Sequence, residues 1–137
     1  MKGTRTRRRL TAVVAAAGLL GALVLVWAAP RGQVAVPGPD ATPEQVVAAY
    51  LEAVDVRDFD TANAIDDRDG STLGRFSRPM QAHRVRMKET ETHGASAHVL
   101  FTADFEGGDG TVEDGLWGYY LHRAGDGLWH ITDAGVA

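Results

Sequence analysis

No cysteine occurs anywhere in the 137 residues, so disulfides, thiolate metal sites, thiol nucleophiles and the acylated cysteine of a lipoprotein are all excluded. Basic residues are also scarce where the chain would fold. Lys2, Arg5, Arg7, Arg8 and Arg9 take five of the 14, whereas all 18 acids lie at Asp40 or beyond, leaving nine basic against 18 acidic groups after residue 29. A domain that acidic lacks the basic footprint that phosphate backbones require, so nucleic acid is not an expected partner. There is no internal repeat, and no metal-ligand or cofactor motif, so neither a metal nor a cofactor is expected.

What is present begins with RTRRR followed by LTAVVAAAGLLGALVLVWAA, an uncharged run from Leu10 to Ala29. As a helix it would span about 30 Å, the thickness of a bilayer hydrocarbon core. The run predicts a membrane anchor; the alternative is a signal peptide cut after Ala28, although the apolar region of such peptides is shorter. The basic cluster, residues 1–9, would stay in the cytoplasm and the acidic domain would be exported, with Trp27 at the interface. PRGQVAVPGPDA, residues 30–41, reads as a short extended Pro/Gly linker.

The folded domain is expected over residues 42–137. Thr42 is an N-cap, Pro43 suits the first helical position and Gln45 completes a capping box. Val47, Tyr50, Leu51 and Val54 then recur at helical spacing. Asp58 or Asp60 caps a second, shorter helix lined by Phe59, Ala62 and Ile65, which ends in the acidic run Asp66–Gly70. Beyond an irregular stretch to Pro79 the period becomes twofold. His83 to Glu89 alternate, and Ala95 to Phe105 place Ala97, Val99, Phe101, Ala103 and Phe105 on one side. Leu116 to Arg123 and Leu128 to Asp133 are the third and fourth strands, with EGGDGTVEDG and GDG as the glycine-rich turns between them. The fold class is therefore α+β, a transmembrane helix followed by two helices packed on one face of a curved antiparallel sheet of about four strands.

TPEQVVAAYLEAVDVRDFDTANAIDD, followed by strands and a terminal Trp-x-Ile-x-Asp-x-Gly, resembles the cone-shaped nuclear transport factor 2-like superfamily, in particular its small membrane-anchored members exported by GC-rich bacteria. The resemblance covers Thr42 to Val136. It implies a cone lined by Tyr50, Val54, Phe101, Trp117, Tyr119 and Trp129, with Asp133 as polar anchor. Ketosteroid isomerases and scytalone dehydratases share that fold, and Tyr50 falls where the isomerases carry a catalytic tyrosine. In the matching stretch after the second helix, DGSTLG, no carboxylate base follows once the surface run ending at Asp69 has passed, and proton transfer would need one. An enzyme would have to use Tyr50 and Asp133 as acid and base; no catalytic residue is assigned.

The sheet face turned away from the helices carries the other candidates. A three-residue turn at Gly125–Gly127 would set Leu121 opposite Ile131, Tyr119 opposite Asp133 and His122 opposite His130. With Phe105 opposite Gly115, His98 would join His122 and His130 in a row that could bind zinc or act as a protonation switch, although no carboxylate or cysteine ligand accompanies it at a metal spacing. Leu100, Leu116, Tyr120 and Leu128 point the same way. A face that apolar predicts a contact surface for a second copy or an envelope protein. Arg75, Arg78, Arg84, Arg86 and Lys88 form the one basic stretch of the domain, which could meet anionic lipid head groups or wall polymers; Arg84, Arg86 and Lys88 read rather as the solvated or edge-protecting side of a strand. The function expected is a non-catalytic, membrane-anchored extracytoplasmic module that binds a protein or a small apolar ligand, with an isomerase or dehydratase, or an envelope spacer, as alternatives.

Overall fold

A computed structural model describes residues 29–68, 81–107 and 110–136. Helix α1, Pro43–Asp55, starts where its capping box forms: the Gln45 amide donates to Thr42 Oγ1 at 3.3 Å and the Thr42 amide donates to Gln45 Oε1 at 2.9 Å. It buries Val46, Val47, Tyr50, Leu51, Ala53 and Val54. At its end the Arg57 amide donates to the Val54 carbonyl and the Asp58 amide to the Ala53 carbonyl. That is a Schellman closure, with Arg57 at φ 62° where glycine is usual.

Asp58 then caps α2, Phe59–Ile65, by accepting from the Thr61 amide. The helix buries Thr61, Ala62 and Ile65. Phe59, expected on that face, is 46 % exposed, because a side chain at the first helical position leans back toward the N terminus and overshoots the core. Residues 31–39 are held against this corner. The Arg31 amide donates to the Val56 carbonyl, the Val34 amide to Asp58 Oδ2, the Thr61 hydroxyl to the Val34 carbonyl and Arg123 Nη2 to the Pro39 carbonyl. Asp58 thus serves two segments at once.

The sheet is an antiparallel meander, β1 (Gln81–His93), β2 (Ser96–Gly107), β3 (Gly110–Arg123) and β4 (Trp129–Val136), in that spatial order. Strands β2 and β3 run through most of EGGDGTVEDG, pairing Gly107 with Gly110, so this stretch is a hairpin rather than a loop. Asp104 stabilises an irregular region of the sheet. It accepts from Arg84, φ 50°, beside the bulge in β1, and from the backbone of Asp114, φ 48°, at the bulge in β3. Past α2, Asp66 makes a parallel bridge to Ile131 and the Asp67 amide donates to the Ile131 carbonyl. The helices cover one sheet face, and between them lies a core that includes Val47, Leu51, Ile65, Val99, Phe101, Phe105, Tyr119 and Ile131.

The architecture is therefore two helices and a four-stranded antiparallel sheet. It corrects the expected fold in one element: among the described residues no helix is long and apolar enough to cross a membrane. Residues 1–28, which hold nearly all of the run read as a transmembrane helix, lie outside them, as do Arg75, Phe76 and Arg78.

Two carboxylates tie this fold to pH. The Val34 and Thr61 amides hold Asp58 below its ordinary value of 3.8, and Arg84 followed by the Asp114 amide does the same for Asp104. A carboxylate depressed on folding stabilises fully above its unfolded pKa and loses that contribution as pH falls through the folded value. Thermal unfolding followed from pH 7 downward should hold level to about pH 5 and then fall, and Asp104→Asn and Asp58→Asn should each flatten the fall while lowering the midpoint at pH 7.

Candidate functional site

The residues expected to line the cone pack on one another. Tyr50, Val54, Phe101, Trp117, Tyr119 and Trp129 are all buried, with Phe101 and Tyr119 at 0 % exposure. Tyr119 meets the edge of Tyr50 at 5.7 Å between ring centroids and that of Phe101 at 5.0 Å, and Phe105 stacks on Trp117 at 4.6 Å. Arg123 lies over Trp129 at 4.9 Å. These side chains fill the space between helices and sheet.

Asp133 is not among them. The register Leu121↔Ile131 and His122↔His130 is as expected, but a bulge between Tyr120 and Leu121 sets Tyr120, not Tyr119, opposite Asp133. One inserted residue exchanges the two faces of a strand. Asp133 is consequently exposed on the outer face, its Oδ1 accepting from the Ala134 amide.

The polar group that does reach Tyr50 is Asp66, the first residue of the acidic run that follows α2. Asp66 and Arg68 side chains are 8 % and 9 % exposed. Arg68 Nε donates to Asp66 Oδ1 and Nη2 to Oδ2, both at 2.8 Å, while Nη2 also donates to the Tyr50 hydroxyl at 3.0 Å. The Tyr50 hydroxyl donates to Asp66 Oδ2 at 3.2 Å. The guanidinium carbon stands 5.0 Å from the Tyr119 ring centroid. Burial works against the Arg68 charge, but the hydrogen bonds to Asp66, with Tyr119 and Tyr50 nearby, raise its pKa above the ordinary value. Burial first, and Tyr50 second, push the Tyr119 hydroxyl well above its usual range, so it stays protonated. Both oxygens of the Asp66 carboxylate are thus taken up by one guanidinium. The arrangement ties α1, the segment after α2 and β3 together. The sequence clue was available in Asp66-x-Arg68, two charges that share a face if the chain is extended there.

The outer face is arranged in cross-strand rows. One row runs Glu91, His98, Tyr120, Asp133 across the four strands, and the next runs Glu89, Leu100, Gly118, Gly135. His98 is thus opposite Tyr120 rather than His122. The β2–β3 hairpin closes tighter than expected and gains one residue at its bulge, a shift of two that preserves the faces but breaks the row of three imidazoles. His98 stacks on Tyr120 at 4.2 Å and 16° between ring planes. Its ring also occupies the space above Gly118, where a Cβ would sit 2.5 Å from His98 Nε2. Tyr120 is 46 % and Leu116 40 % exposed, with Leu100 and Leu128 half-buried and His122 exposed. His130 faces His122, but its ring lies between Asp126, at 3.1 Å from Nε2, and Asp67, at 3.3 Å from Nδ1. Among the described residues no cluster of three or more His, Asp or Glu is arranged to hold a metal.

No protein-family model matches the chain, and no curated protein matches it in sequence. A solved structure does match: the solution structure of a SEC-C motif-containing protein from Rhodopseudomonas palustris, with a TM-score of 0.50 and 17 % identity, over 74 % of this chain and 82 % of that one. The chain shares the fold of that SEC-C motif protein. This corrects the resemblance to the cone-shaped nuclear transport factor 2-like superfamily, since the SEC-C motif protein has a different fold. A capped helix followed by an aromatic-rich closing strand is a pattern that any two-layer α+β domain needs in order to bury one sheet face, and so it selects no family.

Proposed function

We propose that the domain is a non-catalytic protein-interaction module that works through the outer face of its sheet. The observation that carries this reading is the contiguous half-apolar surface of Tyr120, Leu116, Leu100 and His98 on the face turned away from α1 and α2. An antiparallel sheet face left to water alone is normally polar. On the inner side the aromatic side chains are spent on packing, and the one buried acid near Tyr50 is engaged by Arg68. The basic residues 2–9 followed by the uncharged run favour a domain held on, or released to, the far side of the cytoplasmic membrane. Protease accessibility on intact cells, with the mass of the mature N terminus, tests that placement.

The interaction reading is tested with a photo-crosslinking residue at position 116 or 120 in the native cell, and a control at Asp60 on α2. A protein adduct should form at 116 and 120 and be absent at 60. Equal yields at all three positions, or none, would remove the outer face as the working surface.

A further inference from the structure

We infer that the row Glu91, His98, Tyr120 and Asp133 is a subsite for arginine side chains presented by a partner protein, one stacking on Tyr120 beside Asp133 and another meeting Glu91. This rests on the reading of the outer face as an interaction surface and specifies its chemistry. The row is a stacked pair of rings with a carboxylate at each end, set by the pairings Glu91↔His98, His98↔Tyr120 and Tyr120↔Asp133. Three strand spacings put those ends about 14 Å apart. Glu89 stands beside Glu91 on β1. Among the described residues neither Glu89 nor Glu91 has an ion-pair partner, and Asp133 has only its local amide contact. A hollow of about 350 Å³ opens at this end of the sheet, lined by Glu91, His93, Ser96, His98 and Tyr120.

Each component suits a planar cation. His98 holds the Tyr120 ring on one side while 46 % of that residue stays exposed, and an arginine stacks on an aromatic face while donating in a fork to a carboxylate. Gly118 is required for this arrangement, since any Cβ there would displace the His98 ring. The positively charged or titratable neighbours are Arg86, one row beyond Leu100, Lys88 in the β1 bulge beside Glu89, and His93, His122 and His130 toward the opposite end, where His130 lies between Asp126 and Asp67. They leave the two carboxylate ends of the row unneutralised.

The same charges disfavour a second copy as the occupant. When two such faces pack together, a twofold axis along the row sets Glu91 against Glu91, and one across it sets Glu91 against Asp133. Both put carboxylate on carboxylate, and like charges brought together in an interface cost affinity.

The test is titration of the full chain with fluorescein-labelled hexa-arginine, using hexa-lysine and hexa-glutamate as comparison peptides and anisotropy as the readout. Binding of hexa-arginine should saturate and exceed that of hexa-lysine. Tyr120→Ala, Glu91→Gln and Asp133→Asn should each weaken it about three- to tenfold, while Tyr120→Phe and Asp60→Asn leave it unchanged. The inference is overturned if hexa-arginine does not bind, if Asp60→Asn weakens it as much as Glu91→Gln, or if the chain dimerises in sedimentation through a contact that Tyr120→Ala abolishes. Should adducts still form from positions 116 and 120 while hexa-arginine fails, the subsite falls and the interaction surface stands.

Discussion

Arg68→Ala is expected to destabilise the fold by about 3–5 kcal/mol, the range for removing one partner of a buried ion pair. The guanidinium is 9 % exposed and engages both oxygens of an Asp66 carboxylate that is 8 % exposed, as well as the Tyr50 hydroxyl. Alanine would strip that carboxylate of its charge partner without returning it to water. The double replacement Asp66→Leu with Arg68→Met should cost less than Arg68→Ala alone, since it removes the two buried charges together. Urea unfolding at pH 7, with the slope compared between variants, measures both. A loss below about 1 kcal/mol for Arg68→Ala would place the pair with surface ion pairs.

Phe101→Ala should cost a similar amount, about 3–5 kcal/mol, for a different reason. Its ring has no exposure, contacts Tyr119 and Phe105, and sits in register between Met87 and Trp117. Truncation leaves a void whose walls are strands fixed by their ladders, which collapse poorly. The measurement also separates two views of the inner aromatics. A side chain lining an open binding cavity could be shortened at small cost to folding, whereas a packed one cannot. Thermal and urea unfolding of Phe101→Ala decide it, and a midpoint close to that of the parent chain would reopen the cavity reading.

Much of the architecture is legible in the residues. Thr42, Pro43 and Gln45 place the start of α1, and the alternation from Ala97 to Phe105 gives the buried face of β2. The parity of the last hairpin pairs His122 with His130. What escapes the sequence is the bulges. Each inserts a single residue with no strong compositional sign, here at Arg84, Lys88, Asp114 and Thr132, and one inserted residue suffices to turn Asp133 from the inner to the outer face. The buried pair Asp66 and Arg68 is hidden for another reason. A run of charges reads as solvated until tertiary contact brings β4 alongside it, and the bridge to Ile131 joins residues 65 positions apart. The His98–Tyr120 stack depends on the two-residue shift of the β2–β3 hairpin, which the glycines of EGGDG permit but do not specify. The family resemblance failed where the pattern was least specific, in an amphipathic helix and an aromatic strand that many two-layer folds require.

The docking of residues 31–39 also sets the side on which the chain enters the domain. Arg31 is fastened to the carbonyl of Val56 at the end of α1, and Val34 to Asp58 and Thr61, so the chain enters the domain on the helical layer. The ring stack of His98 and Tyr120 lies on the opposite surface of the sheet. The chain thus comes in at the back of the domain at Arg31, while Glu91, Tyr120 and Asp133 look out from its front.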